Sequence, residues 1–63
     1  SRWETRAAYE ALQKLDDEDK YIIIQSIMMR RTLDELSKEL GLSRTTLLRR
    51  RNKILQRISY KLE

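Results

Sequence analysis

Cysteine and histidine are both absent from this chain, so it has neither a disulfide framework nor the commonest ligands of transition metals. Without them, and with no acid and base paired in a cleft the pattern predicts, an enzyme is not expected. Proline is missing as well, and Leu, Lys, Arg, Glu and Gln, all good helix formers, outnumber the β-branched residues. The fold class is therefore all-α. The longest apolar run, Tyr21 to Ile24, is far too short to span a membrane, and nothing resembles a signal peptide. A soluble, cytoplasmic protein is the expectation.

What is present is a short and unevenly charged chain. Its 63 residues make one domain, 1–63, too small to bury more than about 60% of its unfolded surface. The net charge of +4 is concentrated at one end. Residues 1–20 carry four basic and six acidic groups, and residues 21–43 carry three of each. Residues 44–63 hold seven basic groups and one acid, a stripe of the kind that meets a polyanion.

Apolar spacing predicts four helices, over residues 2–15, 17–30, 33–40 and 44–62. In the first, Trp3, Ala7, Ala8, Ala11, Leu12 and Leu15 share a face. Trp3 reads as an anchor for the core, or alternatively as a docking residue for a partner protein. The run DDED at 16–19 is a helix start, with Asp16 as cap and three acids at the positive end of the dipole. It lacks the spaced loop and glycine of a calcium site, so no metal is expected. The second helix is apolar nearly all round and reads as central, with Met28 and Met29 filling core gaps. Arg30 and Arg31 end it. The fourth carries two staggered apolar rows, Leu47, Ile54, Ile58 and Leu48, Leu55, Leu62.

The informative stretch is TLDELSKELGLSRTTLLRRR, residues 32–51. Thr32 and Glu35 have the spacing of a capping box. Leu33, Leu36 and Leu40 give one apolar face, and Gly41, the only glycine, stands where that helix must stop. Leu42 plugs the turn and Ser43 caps the next helix. Two helices joined through such a turn make a helix-turn-helix, whose second helix reads the major groove of double-stranded DNA.

This frame resembles region 4 of bacterial sigma-70-family factors over about residues 12–60. The matching parts are Leu12 and Leu15, Asp16 to Asp19, Ile22 to Ile27, Thr32 to Leu36 and Leu40-Gly41-Leu42-Ser43. Lys53 and Leu55 fall in register with the end of that family's recognition helix. The chain also resembles phage late-transcription regulators of the ArpU/RinA type, through Ser43, Thr45, Thr46, Arg49 and Arg51. Three departures stand out: Ser37 for a usual alanine, Ile54 for a small residue, and Arg50 where repressor-type motifs bury an aliphatic side chain.

The expected site follows. Arg44 and Arg49 suit guanine, which arginine meets bidentately, while Thr45 and Thr46 let the backbone approach and can touch a thymine methyl. Arg44 also matches the arginine that begins this helix in primary sigma factors. Arg50, Arg51 and Lys53 are expected to clamp phosphates, with Arg31, Ser43 and the helix-opening N–H groups of Thr32 and Leu33. The bland alternative, a solvated charged face, is opposed by the absence of any acid from Arg44 to Leu62. The resemblance implies RNA polymerase, or a regulator of anti-sigma type, as a partner for the first two helices, through Trp3, Tyr9, Asp17, Glu18 and Tyr21. It implies promoter −35 recognition in transcription initiation. A phage or plasmid regulator binding an operator as a dimer is the second expectation, and a bundle docking an acidic protein the third. No cofactor, membrane or small-molecule substrate is expected.

Overall fold

In a computed structural model, which describes the backbone of residues 6–62 and the side chains of residues 6–58, every regular element is helical. Helix α1 spans Arg6–Gln13, α2 Asp17–Ile23, α3 Leu33–Leu40 and α4 Arg44–Leu62. Trp3 lies outside the described residues. Among those residues no helix is long and apolar enough to cross a membrane.

Local chemistry sets the helix starts. The Asp16 carboxylate accepts from the Asp19 N–H at 2.8 Å and caps α2. At α3 the Thr32 hydroxyl accepts from the Glu35 N–H at 3.1 Å, and the Glu35 carboxylate accepts from the Thr32 N–H at 3.2 Å. That reciprocal pair satisfies two donors that a helix start leaves orphaned. Ser43 does the same for α4, accepting from the Thr46 N–H at 3.1 Å.

The second helix departs from expectation. Instead of continuing as an α-helix to residue 30, it widens into a π-helical turn over Ile24–Met28. Here the Ser26 hydroxyl donates to the Ile22 carbonyl at 2.6 Å, a bond that competes with the backbone ladder. A π turn inserts one residue and rotates all that follows off the α register. In an ideal α-helix Met29 would fall two turns beyond Ile22 and on its face; the wider turn carries it off. Met28 and Met29 are accordingly 59% and 64% exposed and fill no core gap. Arg30, at φ 56, then breaks the helix in a left-handed conformation.

Two adjacent isoleucines divide the interior. Ile22 packs with Leu33, Leu36 and Leu47 in a cluster that holds α3 against α4, sealed by Tyr21, Leu40 and Leu42. Ile23 packs with Ile54 and Ile58, with α1 supplying Ala11 and Leu12 to that second cluster. Neighbours in a helix point about 100° apart, so α2 serves both clusters at once. It is the central helix. Of the two apolar rows expected on α4, Leu47, Ile54 and Ile58 are buried; Leu55 is half-buried and Leu48 is exposed.

The α3–α4 turn is tied twice. Gly41 adopts φ 68, ψ 23 and its N–H donates to the Ser37 carbonyl at 3.0 Å. The Ser37 hydroxyl donates to the Leu42 carbonyl at 2.6 Å. Serine at this position therefore staples the turn, which an alanine there could not.

Candidate nucleic-acid interface

Because Leu47, Ile54 and Ile58 turn one side of α4 inward, helical periodicity turns the opposite side out. Arg44, Thr45, Leu48, Arg49, Asn52, Lys53, Gln56 and Arg57 are all exposed. Thr45, Leu48, Arg49 and Asn52 lie at spacings of three and four residues, so they form one continuous strip over the leading turns. Thr46 is half-buried, its hydroxyl accepting from Ser43 at 2.9 Å. It belongs to the cap more than to the strip.

The cations are not all free, as the bare sequence suggested. Arg50 reaches across to α2, where it donates to the Glu18 and Asp19 carboxylates, the latter at 2.7 Å. Its guanidinium is half-buried, and the Glu18 hydrogen bond holds its proton more firmly than usual. Arg50 thus clamps two helices together, and a phosphate would have to compete with Glu18 and Asp19 for it. The acids that neutralise it lie outside the fourth helix, which is why a search within that helix missed them.

Arg31 is likewise engaged. It pairs with Glu39 at 2.6 Å and with Glu35 at 3.8 Å, and donates to Gln25 at 3.3 Å and to the Tyr21 hydroxyl at 3.4 Å. Tyr21 in turn donates to Glu39. These bonds keep the Glu39 carboxyl below the usual carboxylate range, through Tyr21 first and Arg31 second. The capping bonds from Thr32 do the same for Glu35. Tyr21 shifts the other way, its hydroxyl held protonated by Glu39. Arg31 and Tyr21 thus join α2 to α3, and a phosphate or a partner protein would have to compete with these bonds.

The other expected phosphate contacts differ in how far they are engaged. The Thr32 N–H is taken by Glu35; the Leu33 side chain is buried, which does not bear on the contact expected of its N–H. Ser43 is spent on its cap, and Arg51 is half-buried with its Nε lacking a hydrogen-bond partner. Arg44 stays exposed, with only a loose pairing to Asp34 at 3.7 Å. Among the described residues no acid lies within ion-pair distance of Arg49, Lys53 or Arg57. Lys53 and Arg57 line a hollow of about 160 Å³ with Asp19, Arg50 and Ile54.

On the docking side, Tyr9 is 61% exposed and Asp17 is exposed, while Glu18 is committed to Arg50. The surface that sequence reasoning missed there is the Met28–Met29 pair. On α4 it missed Asn52, Gln56 and Arg57 as surface groups. Counting threes and fours on from Thr45 and Arg49 would have found Asn52 and Gln56. No group of histidine, cysteine, aspartate and glutamate among the described residues is arranged to hold a metal ion. Compared with family models, curated proteins and solved structures, the chain matches none.

Proposed function

We propose that this chain is a sequence-specific DNA-binding module that works in transcription initiation, inserting α4 into the major groove of a −35-like promoter element alongside RNA polymerase. The observation that carries the reading is the outer strip of α4, where Arg44, Thr45 and Arg49 stand exposed on the leading turns of a helix locked at its other face. Residues at that end of a recognition helix are the ones a groove admits to base edges. Lys53 and Arg57, exposed and unmatched by acids among the described residues, supply phosphate neutralisation beside it. The sigma region 4 resemblance, rather than any geometry, is the basis for naming the promoter and the polymerase.

A regulator of similar fold that binds an operator as a dimer is the second reading. Exposed Met28 and Met29 favour it, since adjacent flexible apolar side chains suit a protein contact. Both readings are tested by selecting bound duplexes from a random pool and measuring their affinity against salt. A recovered consensus with affinity falling as salt rises is expected; binding indifferent to salt and sequence rejects both. Solution mass and co-purification with polymerase then separate them.

A further inference from the structure

An exposed leucine in the middle of a basic strip calls for an explanation. Leu48 is 40% exposed, and its neighbours three and four residues away on α4 are Arg44, Thr45, Arg51 and Asn52. The partner that covers it must accept an apolar side chain and tolerate two nearby guanidinium groups. A second copy of the same face would bring arginines against arginines. The major groove offers the opposite: a thymine C5-methyl to meet the leucine, with phosphates on both sides. Asn52 lies one turn further along the strip and is exposed. Among side chains, asparagine matches the adenine edge, donating to N7 and accepting from N6.

Resting on the proposed DNA-binding function, we infer that Leu48 and Asn52 are specificity-determining residues that read adjacent A·T pairs, Leu48 through a thymine methyl and Asn52 through adenine. Four reading positions at 45, 48, 49 and 52 follow the spacing that homeodomain recognition helices use across the groove. Arg44 and Arg49 keep the guanine contacts expected of them. The site is therefore mixed, with A·T pairs beneath the second and third turns of α4. At about 1.5 Å of rise per residue, Leu48 and Asn52 stand roughly 6 Å apart, within reach of neighbouring pairs about 3.4 Å apart along the duplex.

The experiment uses the full chain and a duplex that it selects from a random pool. Each thymine is replaced in turn by deoxyuridine, which lacks the methyl, and each adenine by an analogue lacking N7. One thymine replacement should weaken binding about fourfold, the worth of one buried methyl, and one adenine replacement about tenfold. Leu48→Ala should bind the deoxyuridine and thymine duplexes equally, and Asn52→Ala should be blind to the loss of N7. Both positions are exposed, and helical circular dichroism checks that the variants fold. If the variants keep the wild-type pattern of losses while still selecting a consensus, this inference fails and the proposed function stands. If no duplex is enriched, both fail. If Leu48→Ala instead abolishes self-association, a second copy covers the leucine and the inference is overturned.

Discussion

Asp19 in the first turn of α2 and Arg50 in the middle of α4 meet at 2.7 Å, with the Glu18 carboxylate accepting from the same guanidinium. The contact joins residues 31 apart and fixes how the long helix lies across the central one. It also spends one arginine within the fold, so that less of the positive charge of α4 is left unpaired than the composition of residues 44–63 suggests.

Arg50→Ala should therefore destabilise the fold more than it weakens phosphate binding. The pair is half-buried, between the small worth of exposed pairs and the larger cost of breaking buried ones, so a loss of about 1–2 kcal/mol is expected in urea unfolding. Under conditions where the variant stays folded, the slope of log affinity against log salt should be unchanged. Lys53→Ala should do the reverse, leaving stability alone and lowering that slope by about one. Equal slopes for Lys53→Ala and the parent would remove Lys53 from the DNA contact.

Asp34 lies 3.7 Å from Arg44, both side chains well exposed. Arg44 must leave this acid to reach a base, and the acid itself repels phosphate. Asp34→Ala is expected to raise DNA affinity several-fold at low salt, with the gain shrinking as salt screens it. Arg44→Ala should cost roughly 1–3 kcal/mol at the preferred site and relax discrimination at one base pair. An undiminished affinity for that site would take base readout away from Arg44.

Two left-handed residues respond oppositely to substitution. A Cβ at Gly41 would meet no atom within 4 Å, so Gly41→Ala costs backbone strain alone, about 1 kcal/mol. Arg30 bears the same strain as a residue with a Cβ. Arg30→Gly should relieve it and raise the unfolding free energy by up to about 1 kcal/mol, less the entropy that glycine adds to the unfolded chain. Thermal midpoints of the two variants should move in opposite directions.

The Tyr21–Glu39–Arg31 network sets a pH response at both ends of the scale. Glu39 and Glu35 have lowered values in the folded state. Their contribution is complete above the ordinary carboxylate range and is lost as pH falls through the depressed values. Tyr21 is raised, so its contribution is complete below the ordinary phenol value and is lost as pH rises through the raised one. Glu39→Gln should flatten both limbs of a stability–pH curve. A curve of unchanged shape would mean that the three groups are not coupled in solution.

The sequence by itself determined what depends on neighbours a few residues apart. The capping box at Thr32, the Ser43 and Asp16 caps, the Gly41 turn and the inward row Leu47, Ile54, Ile58 all follow from short-range spacing, and each is found where periodicity puts it. Tertiary structure alone decided which charges are spent. Arg50 and Arg31 look as free as Arg49 and Lys53 until distant acids on α2 and α3 come within reach. It also decided the fate of Met28 and Met29, because a helix that widens by one residue turns a predicted core face to the outside. The physical reason is range. Hydrogen bonds within a turn are specified by adjacent residues, whereas the partner of a long charged side chain depends on how separate helices pack.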